Sequence, residues 1–462
     1  MSIDWGAVRS EAVEVLCDLV RFDTSNPPGN ERPAAQYLAE KLAGVGIEPA
    51  VLESAPGRTN VVARLKGNGA APPLLLSSHL DVVPAGNSAA WTHPPFAAEI
   101  ADGYVWGRGT VDMKYGAAQA LAVMTLLKKH EVPLKRDVIF AGVADEEQGG
   151  RLGSGYLVDN HRDLIQAEFC LSELGGMVMP VGVGRVALVG TATKGFEWLN
   201  VRMRGKSGHG SRPNPESAFA RLVHGLHRIE NGRLSYELCG ASNAFLSGMG
   251  AAQGGMASFV TSLLRRPWWT PLALQLIPKD KRGVIEAALY NTVVVSALGG
   301  GDAATPNVVR EEATAVLDGR YLPTVSRERF LAKLTAVLGH GVELESFRGL
   351  PPTDFPRRSE LMQAIEGAVR CYDPRIRVVP FLVQGFTDAN HYVRAGIITY
   401  GFLPLVLKAD EPFADLAHAT DERVSVAGFG EGLEMLHEVV LELCSAQRRL
   451  VPVKEPSSVR SV

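Results

Sequence analysis

An apolar run that ends abruptly in an imidazole and a carboxylate constrains this chain most. Leu74-Leu75-Leu76 leads through Ser77-Ser78 into His79-Leu80-Asp81. A short unbroken apolar run reads as a strand buried on both faces, so His79 falls where that strand ends. In open α/β sheets, ligands bind outside the carboxyl ends of the strands. Three more acidic positions occupy comparable places. Asp112 lies in Gly107-Arg108-Gly109-Thr110-Val111-Asp112-Met113-Lys114, Asp145-Glu146-Glu147 closes the apolar run Val138 to Ala144, and Glu173 follows Phe169-Cys170-Leu171-Ser172. One imidazole and several carboxylates brought to one sheet edge are most economically explained by a divalent metal.

At 462 residues the chain is long for one domain, and 46% hydrophobic residues are ample for a large core. Its 47 basic and 50 acidic residues leave a net charge of −3, with no basic patch for nucleic acid. The five cysteines (Cys17, Cys170, Cys239, Cys371 and Cys444) are widely spaced without any Cys-x-x-Cys pair, so unpaired thiols in a cytoplasmic setting are expected. Met1-Ser2-Ile3-Asp4-Trp5 lacks a basic region followed by an apolar core, so no signal peptide is expected. No stretch reaches the roughly 18 apolar residues of a membrane helix, so no membrane is expected as a partner. The apolar segment from Pro267 to Pro278, with Trp268 and Trp269, is expected to be a packed loop rather than a surface that meets lipid or a greasy substrate.

The chain divides into an α/β unit interrupted by an α+β insertion. Helical period marks Glu11 to Arg21, Arg32 to Gly44 and Tyr115 to Lys129. Strands are expected at Asn60 to Leu65, Leu74 to Ser78, Val138 to Ala144 and Glu168 to Ser172. From Lys194 the character changes. Trp198 to Arg204, Asn291 to Leu298, Ala313 to Tyr321 and Val342 to Phe347 read as strands, with helices at Ser217 to Glu230 and Arg327 to Leu338. The α/β pattern resumes with a helix from Ser359 to Arg370, a strand from Ile397 to Phe402 and a helix from Val424 to Ser445. The domains are therefore expected at 1–192 and 350–450 for the catalytic unit and 193–349 for the insertion. Within the insertion, 231–290 is an elaboration of undefined shape, and 451–462 is a flexible tail.

Two metals about 3.5–4 Å apart can share a carboxylate and a water, which makes five protein ligands a natural set. The candidates are His79, Asp112, Glu147, Glu173 and a late residue, His418, with His391 as its competitor. Glu146 and Glu147 would face opposite sides of a regular strand. Both serve one site only if the chain turns there, and Gly149-Gly150 supplies the turn. One carboxylate then binds metal while the other is placed as a general base. Each piece alone has a plainer reading: a structural histidine at a strand end, or a solvated acidic turn. Their joint placement at four strand ends outweighs it.

Several segments together resemble the M20 family of metallopeptidases. They are Ser78 to Pro84, Gly107 to Lys114, Asp145-Glu146-Glu147 with Gly149-Gly150, and Gly205-Lys206-Ser207-Gly208-His209-Gly210-Ser211. Asn307, Asp318-Gly319-Arg320, Gly385-Phe386-Thr387-Asp388, and His418 with Glu422-Arg423-Val424 complete them. The resemblance implies a zinc-peptidase-like α/β fold, a mixed sheet sandwiched by helices, with an inserted ferredoxin-like lid or dimerisation domain. It implies two divalent ions, zinc with cobalt or manganese as substitutes. Asp112 would bridge them, His79 and Glu173 would complete one site, and Glu147 and His418 the other. Asp81 would orient His79, and Glu146 would be the general base on a zinc-bridging water. At Glu173 the chain departs from the family's Asn-Glu-Gly-Gly, reading Ser172-Glu173-Leu174-Gly175-Gly176.

In dimeric members a histidine at the position of His209 reaches into the partner's site to stabilise the oxyanion, so a homodimer through the lid is implied. Asn307, Arg320 and Gly385 would bind substrate, Arg320 through a carboxylate that its planar fork matches. Read without the resemblance, His209 is an exposed imidazole in a glycine-rich turn and Arg320 a surface charge on a strand. The implied activity is cleavage of an amide bond in small peptides or N-acyl amino acids, carboxypeptidase-like. Alternatives are an aminoacylase, an N-acyl amino acid synthase/hydrolase, and a non-catalytic binding protein that keeps the fold.

Overall fold

The computed structural model describes residues 3–447 apart from 183, 233, 301–304, 410 and 412–415. The expected tail from Val451 lies outside them. Leu74, Leu76, Val138 and Phe140 enter one hydrophobic core, while Leu75, Ile139 and Ala141 enter another. Successive strand side chains point to opposite faces, so a strand covered on both faces carries an unbroken apolar run. The large core lies beneath the helices Trp5–Arg21, Arg32–Gly44, Lys114–Lys129, Glu360–Tyr372 and Val426–Cys444. The smaller one lies beneath Ser154–Asn160, Arg162–Ile165 and Ala389–Tyr392.

The sheet between these layers has 11 strands. Its main order is Pro49–Ala55, Arg58–Leu65, Val138–Val143, Leu74–His79, Phe169–Ser172, Ile398–Gly401, Gly184–Thr193, Met177–Val181, Leu405–Val406. Four adjacent strands, from Val138–Val143 to Ile398–Gly401, run parallel. His79 pairs with Val143 and Leu76 with Leu171, so the residues after these strands emerge at one edge. Asp145-Glu146-Glu147 and Glu173 are there because strand register puts them there.

A second sheet has four antiparallel strands in the order Thr292–Gly299, Glu312–Tyr321, Gly195–Arg204, Val342–Leu350. The helices Ala218–Asn231 and Arg327–Leu338 pack with it around a core of their own. Gly195–Arg204 alternates buried and exposed side chains over its later half, as a strand with one solvated face must.

Residues 231–290 hold four helices, Gly240–Gln253, Gly255–Leu264, Thr270–Gln275 and Lys279–Leu289. They enclose a small core of Leu246, Leu264, Ala273, Leu274, Leu289 and Tyr290. Gly240–Gln253 also lies against the 11-stranded sheet: Phe245 and Met249 join Val186, Leu188 and Val379 in one cluster. Gly248 lets helix and strand come together, since a Cβ there would stand 2.8 Å from the Val379 methyls. The segment expected as a packed loop contains the helix Thr270–Gln275. It buries Ala273 and Leu274 while Trp268 stands 93% exposed. The packing expectation fails for the tryptophans because the helix spends its inward face on small and aliphatic residues.

Candidate active site

The turn after Val138–Val143 brings two consecutive glutamates to one side. Asp145 takes a left-handed conformation at φ 70°, and Glu146–Gln148 forms a single 3-10 turn closed by Gly149 at φ 92°. A non-glycine residue in that region is held there by its surroundings. Asp145 accepts Leu152 N at 3.0 Å, receives Asn26 Nδ2 at 3.3 Å and lies 3.2 Å from Arg58 Nη2. The Asp81 carboxylate accepts the backbone N–H groups of Glu146 at 3.0 Å and Glu147 at 3.1 Å, and the amide of Asn26 at 2.8 Å. Asp81 thus fixes the turn that carries both glutamates. Its carboxylate is 3.6 Å from His79 Nδ1, and the nearer partner of that nitrogen is the Asp81 carbonyl at 2.9 Å.

His79 Nε2 lies 3.0 Å from Asp112 Oδ1 and 3.4 Å from Glu173 Oε2. On the other side of Asp112, His418 Nε2 lies 3.0 Å from Oδ2 and 3.2 Å from Glu147 Oε2. The donor atoms within each triad all fall within 4.8 Å of one another, and both triads share Asp112. Asp112 is placed by Glu422, a buried residue whose Oε1 accepts the backbone N–H groups of Gly109, Val111 and Asp112. Arg108 holds the other oxygen of Glu422 at 2.6 Å. His418 sits at φ 65° and is half exposed, facing the open side.

The electrostatics are those of crowded carboxyls. Burial raises the pKa of Glu146 well above the ordinary value, and Glu173, Glu147 and Asp388 add repulsion. Burial, reinforced by Asp112, pushes Glu147 to about 7. Burial likewise raises Glu173, against the lowering effect of His79, and lifts Asp388 to about 7. Burial opposes a charge on His79, but Asp112 and Glu173 outweigh it and hold its pKa well above the histidine range. Hydrogen bonds to Asp112 and Glu147 raise His418 to about 10.

The donor set fits divalent cations. It combines imidazole nitrogen with carboxylate oxygen, as zinc sites do. Glu147 Oε1 and Glu173 Oε1 are buried without a hydrogen-bond partner, a costly state that a cation would relieve.

The other sequence-derived candidates divide into two groups. Gly385 lines a cavity with Asp112 and Glu173. Arg320 stacks on Phe196 and Phe386 at 5.3 and 5.4 Å, and its fork engages Asp318 at 2.7 and 2.8 Å while Nη1 stays buried and unpartnered. His209 and Asn307 join neither triad: Gly208–His209 pairs with Val308–Val309 in a two-stranded ribbon, and the exposed Asn307 directly precedes it. His209 Nδ1 meets Ser211 Oγ at 2.8 Å, and Gly210 N donates to the Asn307 carbonyl at 2.7 Å. His391 joins neither triad: its Nε2 meets the Gly149 carbonyl at 2.8 Å and helps hold the glutamate turn. The sequence reading gave no role to Glu422, Asp388 or Asn26. The first two lie inside quoted motifs. Asn26 carries no signal, since its contact with Asp81 spans 55 positions.

A family model described as Peptidase family M20/M25/M40 matches residues 75–442. The chain belongs to that family. Among M20 relatives, it is 27% identical over 382 residues to a probable carboxypeptidase S-like 2 of Dictyostelium discoideum, covering 80% of this chain and 71% of that one. It is 29% identical over 465 residues to the N-fatty-acyl-amino acid synthase/hydrolase PM20D1 of Xenopus tropicalis, covering 94% of this chain and 85% of that one. The crystal structure of the M20 family metallo-carboxypeptidase Sso-CP2 from Sulfolobus solfataricus shares the fold. Its TM-score is 0.69 at 18% identity, over 94% of this chain and 99% of that one. This M20 chain is an amide-bond hydrolase of a metal-dependent family. Among its described residues no helix is long and apolar enough to cross a membrane.

Proposed function

We propose that the chain is a dinuclear metallohydrolase that cleaves the amide bond of small peptides or N-acyl amino acids ending in a carboxylate. The observation that carries this reading is the pair of triads sharing Asp112 beside the buried Glu146 carboxyl. His79 and Glu173 would hold one ion, Glu147 and His418 the other, and Asp112 both. When bound, the ions supply Lewis-acid polarisation of the carbonyl and acidify a water. Zinc suits the nitrogen and oxygen donors, and cobalt or manganese could replace it.

Glu146 takes a proton from the attacking water onto its carboxyl and returns it to the nitrogen of the leaving amine. Glu146 is buried in the same turn as the proposed ligand Glu147, which keeps it close to the ions for a group that must accept and then give a proton. Arg320, whose buried Nη1 is unpartnered, would bind the substrate carboxylate, with Asn307 as a second contact. His209, exposed on its ribbon, would complete the oxyanion site of a partner subunit in a homodimer. Run in reverse, the same groups would condense a fatty acid with an amino acid, the synthase activity in the name of the Xenopus relative.

Glu146→Gln is expected to keep its bound metal while kcat falls at least about 100-fold, the lower range of a lost general base. Retained turnover at full metal content would remove Glu146 from that role.

A further inference from the structure

We propose that the helical insertion gives this hydrolase a binding site for a long apolar acyl chain. The inference rests on the amide-hydrolase reading and deepens it. A cavity of about 430 Å³ begins at Asp112 and Glu173 and runs away from them beneath the insertion. Pockets of roughly 300–1,000 Å³ hold drug-sized ligands. Met177, Leu188 and Phe381 form the wall on the catalytic sheet, and Phe245, Val284 and Ala288 form the facing wall from the insertion.

The insertion's polar groups at this wall are already engaged. Ser242 Oγ donates to the Ala288 carbonyl at 2.6 Å, so its hydroxyl hydrogen is spent inside the wall. Gln384 Nε2 donates to the Val284 carbonyl at 2.7 Å and ties the helix Lys279–Leu289 to the end of strand Ile376–Val383. The Phe245 and Phe381 rings meet at a tilt of 51° with centroids 6.5 Å apart, joining insertion to sheet. The wall is therefore anchored to the half of the molecule that carries the triads.

The cavity fits one end of the substrate better than the other. Among the described residues no arginine, lysine or histidine lines it, and Arg320 lies outside it. An amino acid carboxylate would find no cation there. The acyl side of the amide needs none, and its carbonyl would sit at the acidic end with the chain extending along the apolar walls. Hydrolysis then releases a free fatty acid from this cavity and an amino acid from the carboxylate side.

The test compares N-acetyl-, N-hexanoyl- and N-octanoyl-leucine on the zinc-loaded chain. Each buried methylene should raise kcat/KM about fourfold, so N-octanoyl should exceed N-acetyl by on the order of a hundredfold or more. Val284→Trp, at a half-exposed position that tolerates size, should cut the N-octanoyl rate at least tenfold and leave N-acetyl within twofold. Ala288→Phe should do the same from inside the wall. Equal or better turnover of N-acetyl, or variants that slow both substrates alike, would overturn the acyl site and leave the hydrolase reading standing. Absence of turnover on all three would count against the hydrolase reading instead. Calorimetry with octanoate then decides the cavity separately: binding weakened by Val284→Trp supports it, and no binding refutes it.

Discussion

Glu422 shows how one residue distant from the chemistry sets its geometry. Its carboxylate collects three backbone N–H groups around Asp112 and a guanidinium, all out of water. Removing one partner of a buried ion pair leaves the other charge uncompensated, at roughly 3–5 kcal/mol. Glu422→Ala should lose about that much stability by denaturant unfolding, and also lose metal because Asp112 is no longer held. A change below about 1 kcal/mol would show that the loop is fixed by other contacts. At this scale the sequence was legible where a side chain lies next to its strand. His79, Glu147 and Glu173 follow apolar runs and meet at one sheet edge. The partnership of Asp81 with the Glu146 and Glu147 amides was not legible, because it depends on how a left-handed residue turns the chain.

Elements differ in how plainly the sequence announces them. The central parallel strands read clearly because burial on both faces gives unbroken apolar runs, Leu74-Leu75-Leu76 and Val138 to Val143. Ile376–Val383 was missed: Pro380 argues against a strand, and the structure accommodates it in a strand bonded to Gly184–Thr193 alone. The first helix of the insertion, Gly240–Gln253, was hidden by Gly248 and Gly250 in its interior, which lower helix propensity.

The junction between the two sheets carries a further prediction. Lys194 lies between Gly184–Thr193 and Gly195–Arg204, fully buried, with Nζ donating to the Tyr290 carbonyl at 2.9 Å. Burial first, then Arg320, lowers its pKa from 10.5 to about 7. Below pH 7 folding must bury the charge, and the penalty is fully present. Between pH 7 and 10.5 the unfolded chain binds more protons than the folded one, so stability rises with pH. Lys194→Met removes the titration. Its Tm relative to the parent should therefore be highest near pH 6 and fall as pH approaches 10. A pH-independent difference would mean that the amine is not destabilised by its burial.

At the scale of the molecule, the large sheet and the insertion line the cavity at the triads, while His209 lies on a small ribbon and joins neither triad. If the ribbon serves a partner's site, mixing inactive His209→Ala with inactive Glu146→Gln should restore turnover, one intact site per mixed dimer. No recovery after demonstrated subunit exchange would contradict a shared site.

The central claim is that Asp112 joins two cation sites. Anomalous diffraction from crystals grown with zinc tests it directly. The account predicts two peaks flanking the Asp112 carboxylate, one against His79 and Glu173 and the other against Glu147 and His418. It further predicts loss of both sites, or retention of one weakened site, in Asp112→Ala. A single peak in the parent, or two peaks unchanged in Asp112→Ala, would contradict it.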